Sequence, residues 1–292
     1  MRSRIRFFSW PGTGAWGLVP VLVATPVLAG PFDDPGIEPA AITAWADAVV
    51  ELVRGSLDVA SPELGVASFG DPALTLGPVN GDVYDVVSLG DGGAITLGFA
   101  EGIGDGPGVD FAVFENGFFA PGGLFGELAF VEVSSNGVDF ARFESESVQA
   151  YPVEGYEPIE PTDYDGLAGR HPLGLGTGFD LATLATHPLV DTGRLDLATI
   201  QQVRVVDVVG DGSTRDAFDA PIFDPYPTAF AAGGFDLDAI GVVHPAPEPE
   251  ALAALVAGLG GVVSFARRRR RGRRRERSEA RFEAAGLAGS GG

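Results

Sequence analysis

The stretch Ala129-Phe130-Val131-Glu132-Val133-Ser134-Ser135-Asn136-Gly137-Val138-Asp139-Phe140-Ala141-Arg142-Phe143 decides the fold. Ala129, Val131 and Val133 alternate with Phe130, Glu132 and Ser134, the period of two that marks a strand with one face in a core. Asn136-Gly137 supplies a tight turn, and residues 138–143 return as the partner strand. Working outward, Phe111-Ala112-Val113-Phe114 is a short apolar run, as expected of a strand buried on both faces. Ile95, Leu97 and Phe99 alternate with small or polar neighbours, and residues 203–209 and 235–243 read as two further strands. Five or more strands between Gly/Pro/Asp-rich loops predict a mainly β protein, an antiparallel β-sandwich. Two stretches read differently. Ile42, Trp45, Val49, Leu52 and Val53 recur at helical spacing and predict one short N-terminal helix over 41–54, whereas 150–200 reads as a long irregular loop.

Composition narrows the chemistry. All 19 basic residues are Arg, and Cys is absent, which excludes disulfides, thiol catalysis and Cys-ligated zinc. The formal charge of −21 is a sum over unlike parts. Residues 1–29 carry three Arg and no acid, residues 30–246 carry 35 acids and six Arg, and residues 267–281 carry ten Arg and two Glu. The middle segment therefore stands at −29, which disfavours nucleic acid or an anionic membrane surface as its partner and favours solubility and cation binding.

The two ends read as addresses. Met1-Arg2-Ser3-Arg4-Ile5-Arg6 is a basic leader, an apolar stretch runs from Ala15 to Ala29, and the small residues at its end suit cleavage after Ala29. At the other end, His244-Pro245-Ala246-Pro247-Glu248-Pro249-Glu250 leads into sixteen uncharged residues, Ala251 to Ala266. Arg267, Arg268, Arg269, Arg270 and Arg271 follow at once, and such a block holds its side of a membrane helix in the cytoplasm. The expected organisation is a signal peptide at 1–29, a β-sandwich at 30–243, a Pro-rich linker at 244–250, a transmembrane helix with its Arg cluster at 251–275, and a disordered tail at 276–292. The order Pro247-Glu248-Pro249, apolar helix, Arg cluster resembles the PEP-CTERM sorting signal of Gram-negative bacteria. That resemblance implies recognition by an exosortase-type transpeptidase, an intermediate anchored in the cytoplasmic membrane, and delivery to the cell surface or beyond. The tail after Glu276 departs from the usual pattern, and a plain single-pass anchor stays open as the alternative.

A second resemblance covers the middle of the chain. Val131-Glu132-Val133-Ser134-Ser135-Asn136-Gly137 is similar to a hairpin of discoidin-like, galactose-binding-like jelly rolls. Gly93-Ala94-Ile95-Thr96-Leu97-Gly98-Phe99, Val203-Arg204-Val205-Val206-Asp207 and Phe235-Asp236-Leu237-Asp238-Ala239-Ile240 resemble further strands of those domains. The resemblance implies a fold and leaves the chemistry open.

Carboxylates cluster in glycine-bearing stretches: Asp105 and Asp110 with Glu115, then Asp207 to Asp224, then Asp236 and Asp238. Acidic loops of this kind supply the six to eight oxygen ligands of calcium, an ion that many galactose-binding-like folds carry. Calcium is thus the candidate cofactor, with Asp110, Glu115, Asp207 and Asp236 as ligands. The competing reading is that these side chains cap turns or are simply solvated. No residue is singled out as catalytic: His171, His187 and His244 lack metal-pair spacing, and no nucleophile elbow or phosphate loop is present. Tyr151, Tyr156, Tyr164, Phe223 and Tyr226 either stack on sugar rings or pin loops to the sandwich. The expectation is a non-enzymatic, exported surface or matrix-associated protein with extracellular polysaccharide as partner. A secreted carbohydrate-active hydrolase and a purely structural surface protein stay open beside it.

Overall fold

The computed structural model describes residues 30–248. The signal segment with Ala29, residue Pro249, the apolar stretch at 251–266, the Arg cluster and the tail lie outside the described residues. Among the described residues no helix is long and apolar enough to cross a membrane.

Eleven strands build two antiparallel sheets. In chain order they are β1 (Ala44–Trp45), β2 (Ala48–Val53), β3 (Val87–Ser88), β4 (Ala94–Ile103), β5 (Phe111–Glu115), β6 (Ala129–Ser134), β7 (Ala141–Arg142), β8 (Leu167–Ala168), β9 (Thr177–Phe179), β10 (Ile200–Asp207) and β11 (Asp236–Val242). The first sheet has the order β1-β11-β5-β9, with β3 pairing β11 as well; the second has the order β8-β6-β10-β4-β2, with β7 on β6. A mainly β protein with packed antiparallel sheets is what the sequence predicts. The sheets face each other across one core, in which Phe111, Val113, Leu237 and Ile240 meet Ile95, Leu97, Val131, Val133, Val203 and Val205. Phe111 anchors it, stacked on Phe179 at 5.4 Å and tilted against Phe143 at 5.9 Å. Each such side chain contributes roughly 1.5–3 kcal/mol by leaving water.

Alternation alone would put Phe130 outside with Glu132. Instead it joins Leu128, Val153, Ile159, Tyr164, Leu167, Val208 and Ile222 in a second cluster, beneath the loops that cover the outer face of the second sheet. Tyr164 is fully buried there and donates its hydroxyl to the Phe223 carbonyl at 2.6 Å.

Three expectations need correction. No helix forms over 41–54; the segment supplies β1 and β2. The cause of the misreading is visible in the register. Val49 pairs Leu97 and Leu52 pairs Ile95, with an irregularity between Val49 and Glu51. That bulge adds a residue, so the two half-buried side chains stand three apart, as they would on a helix. The 129–143 hairpin exists, but its partner strand is only Ala141–Arg142, opposite Val133 and Glu132. Its turn is wider than a two-residue one. Ser134 Oγ accepts from Asn136 and Gly137, and Asn136 Oδ1 accepts from Val138 and Asp139. Finally, the 150–200 stretch is mostly irregular but contributes β8 and β9, one to each sheet.

Candidate functional site

Strand β5 separates the four carboxylates singled out as calcium ligands. Asp110 precedes it and Glu115 ends it, about 17 Å away at ~3.4 Å per residue. Because β11 runs antiparallel, Leu237 lies opposite Glu115, so Asp236 joins Glu115 at one end. Val243 donates to the Asp110 carbonyl at 2.8 Å at the other end. In the second sheet Asp207 closes β10, and its Oδ1 accepts from the Phe235 N–H at 2.6 Å, which draws it to the Glu115 end. Three of the four residues therefore lie at one end of the sandwich, without three carboxylate oxygens within 4.8 Å of one another, and Asp110 lies at the other.

At the Asp110 end every carboxylate oxygen of that residue has a partner. Oδ1 accepts from Gly106 N–H at 2.7 Å and lies 3.0 Å from His244 Nδ1, while Oδ2 accepts from Leu181 N–H at 2.7 Å. His244, read from sequence as part of a linker, thus packs against the sandwich. Asp105, Asp110 and Asp180 each bring an oxygen within 4.8 Å of the others. Asp180 Oδ1 caps the following turn by accepting from Ala182, and Asp105 is exposed. Slight burial and the charges of Asp110 and Asp180 raise the Asp105 pKa.

The Glu115 end is different in kind. Glu127 and Asp224, neither singled out from sequence, join Glu115, Asp207 and Asp236, and all five are buried. Backbone N–H groups hold three of them: Glu115 Oε2 accepts from Gly117 N–H at 2.6 Å, Asp207 Oδ2 from Gly92 N–H at 2.8 Å, and Asp224 Oδ2 from Leu128 N–H at 2.8 Å. Asp236 accepts from the Ser88 hydroxyl and, at 3.3 Å, from Asn116 Nδ2. Glu127 is the exception: it is 5% exposed, and its Oε1 has no hydrogen-bond partner. Asp238 Oδ2, on the same strand as Asp236, is buried without a partner too. Gly169 makes this packing possible. Its φ of +92° suits glycine, and a Cβ there would overlap the Glu127 carbonyl.

Burial dominates the electrostatics of this end. It pushes Glu115, Glu127, Asp207 and Asp224 well above the usual carboxylate range. At Glu127 the charges of Asp236, Asp207, Asp224 and Glu115 push in the same direction. Asp236 rises to about 6 through burial, opposed by its bonds from Ser88 and Asn116 and by the Arg54 charge. Burial and the charge of Asp85 lift Asp238 to about 7. Arg54 itself is engaged elsewhere, donating to the carbonyls of Phe69 and Gly70 at 2.6 Å and to that of Ser88.

Above this end stand exposed aromatic rings. The short hairpin of Phe118–Ala120 and Gly123–Phe125 follows Glu115 directly, and Phe119 at its tip is 77% exposed. Tyr156 is 79% exposed and lies nearly parallel to Phe230, with centroids 6.3 Å apart. The hairpin and the Tyr156 loop are bridged, since Ile159 pairs with Leu124. Of the aromatics read from sequence, Tyr151 and Tyr156 are thus exposed. Tyr164 pins a loop to the core, and Tyr226 is half-buried with its hydroxyl on Asp58 at 2.7 Å.

His171 is buried beside Asp34, its Nε2 3.0 Å from Asp34 Oδ2, with the Arg170 guanidinium at 3.5 Å from the same oxygen. Asp34 ends below its ordinary pKa. Burial raises it, but the His171 hydrogen bond, the Gly36 N–H and the charges of His171 and Arg170 outweigh that. This triad ties the N-terminal segment to the sandwich. No protein-family model matches the sequence, and no curated protein matches it either.

Proposed function

We propose that this chain is an exported β-sandwich that reaches the cell surface or surrounding matrix and binds extracellular polysaccharide there without turning it over. Its route is that of a PEP-CTERM protein: removal of residues 1–29, tethering through 251–266, and recognition of Pro247-Glu248-Pro249 by an exosortase-type enzyme. The observation that carries the binding reading is the exposed, nearly parallel pair Tyr156 and Phe230, beside the Phe118–Phe119 hairpin on the same loop-bearing end. Flat aromatic faces bind sugar rings through apolar contact, and an acidic rim suits neutral glycan hydroxyls better than anionic chains. The buried carboxylates below are closed off from a chain of sugars, which speaks for binding over hydrolysis.

The test is a glycan array and a pull-down on neutral exopolysaccharide with the full chain in detergent. Binding is expected to fall at least about tenfold in Tyr156→Ala, the scale of one stacked ring. Release of reducing ends that Asp236→Asn abolishes would establish the hydrolase instead, and absence of both binding and turnover would establish a structural role. Replacing Pro247, Glu248 and Pro249 by Ala is expected to hold the chain in the cytoplasmic membrane.

A further inference from the structure

Gly30 sits in a place shaped for it. Its N–H donates to Thr162 Oγ1, whose own proton goes to Glu160 Oε1 at 2.8 Å, so the hydroxyl turns a lone pair toward Gly30. The residues that follow are held at once: Phe32 N–H donates to the Thr162 carbonyl at 3.0 Å, and Asp34 engages His171 at 3.0 Å. The position admits glycine alone, because a Cβ on residue 30 would overlap both the Thr162 carbonyl and the Asp163 carboxylate. Asp163 Oδ1 therefore stands directly against Gly30. Glu160 and Asp163 bring two negative charges to this point, and among the described residues no Arg or His pairs with either. Partial burial and the charge of Glu160 hold Asp163 above its ordinary pKa, as expected of a carboxylate short of a counter-charge.

We propose that Gly30 is the N-terminus of the mature protein and that Glu160, Thr162 and Asp163 form a binding cradle for its α-ammonium group. The proposal rests on the reading of residues 1–29 as an export leader. Hydrolysis of the Ala29–Gly30 peptide bond by a leader peptidase consumes one water: the carboxylate leaves on Ala29, and the nitrogen stays on Gly30 as an ammonium. Before the cut that nitrogen has one N–H and no charge. Afterwards it has three donors and a positive charge. One donor keeps Thr162 Oγ1, a second is free for Asp163 Oδ1, and the charge answers Glu160 across the hydroxyl. The new end of a cut chain frays unless it is tied down, and here the ties begin at its first residue. Leader removal thus completes an ion pair and stabilises the folded sandwich.

The sequence offers an unusually clean probe: it contains no Lys, so the α-amine is the only primary amine and an amine-reactive ester reports on that group alone. The full chain is expressed with its leader, purified from membranes in detergent, and its first residue read by intact mass. A start at Gly30 is expected. At neutral pH the amine is expected to acylate at least about tenfold more slowly in the folded protein than in urea, because neighbouring carboxylates keep it protonated. Asp163→Asn is expected to recover most of the urea rate, and Asp105→Asn, at the far end of the sandwich, to leave labelling slow. If Asp163→Asn does not fold, Glu160→Gln takes its place. Acetylating the amine in urea and refolding is expected to lower Tm by about 2–4 °C. A chain that begins at Gly30 but acylates as fast folded as unfolded overturns the cradle and leaves the leader reading standing. A chain that keeps residues 1–29, or begins elsewhere, overturns both.

Discussion

The two ends of strand β5 place acidic residues in opposite circumstances. Asp110 is fully buried yet fully bonded, with two backbone N–H groups and a histidine nitrogen on its carboxylate. Glu127 is nearly as buried and has an oxygen without a hydrogen-bond partner. The first arrangement organises loops, because removing the carboxylate would strand donors that have nowhere else to go. The second leaves a polar atom unanswered, and burial together with the neighbouring carboxylates holds the acid toward its neutral form. Burial of an acid is therefore not by itself a mark of a site; what distinguishes one is whether the surrounding chain already answers it.

The largest effect expected comes from the backbone at the two ends. Gly169→Ala must push a methyl group into the Glu127 carbonyl at a left-handed φ, and is expected to destabilise the protein by about 4 kcal/mol in urea unfolding. Gly108→Ala at the Asp110 end shares the positive φ but meets open space, so about 1 kcal/mol is expected. Equal effects would mean that the Glu127 end is not tightly packed. Next in size is Asp110→Ala, which leaves the Gly106 and Leu181 N–H groups without acceptors. A loss of about 3 kcal/mol is expected, equal in EDTA and in calcium. Glu127→Gln should be smaller, within about 1 kcal/mol in urea unfolding, since burial holds the Glu127 carboxyl toward its neutral form and a neutral amide of equal size replaces it.

The smallest effect is the pH dependence of Asp91, near Asp207. Burial, with the charges of Asp58 and Asp211 and against the Val59 N–H, raises it to about 6. A carboxyl whose folded pKa exceeds its unfolded value binds its proton more tightly when folded. Its contribution is complete below about pH 4, the usual carboxylate range, and is lost as pH rises through about 6. In EDTA the urea midpoint is expected to fall from pH 4 to pH 7, with a shallower fall in Asp91→Asn. An unchanged slope in that variant would remove Asp91 from the balance.

Much of this architecture is legible in the residues themselves. The apolar run from Phe111 to Phe114 is a fully buried strand, and Ala129, Val131 and Val133 face the core as alternation requires. The helix expected over 41–54 fails because a bulge changes the period locally, and no periodicity count separates a bulged strand from a helical face. The site was half legible. Glycine-flanked acids near strand ends mark Glu115, Asp207 and Asp236, but which end of β5 a residue occupies depends on pairing partners far away in sequence, and the structure sets Asp110 apart from them, beside Asp105 and Asp180. Glu127 does carry a signal in the sequence. It is a lone acid within Leu124-Phe125-Gly126-Glu127-Leu128-Ala129-Phe130, and a charge embedded in an apolar run must be answered by something when that run is buried.

The most direct measurement is urea unfolding of Asp110→Ala and Glu127→Gln side by side at neutral pH. A loss of about 3 kcal/mol in Asp110→Ala against a change of under about 1 kcal/mol in Glu127→Gln is the predicted result. Equal losses in the two variants would contradict the account, and would mean that the surrounding chain answers Glu127 as fully as it answers Asp110.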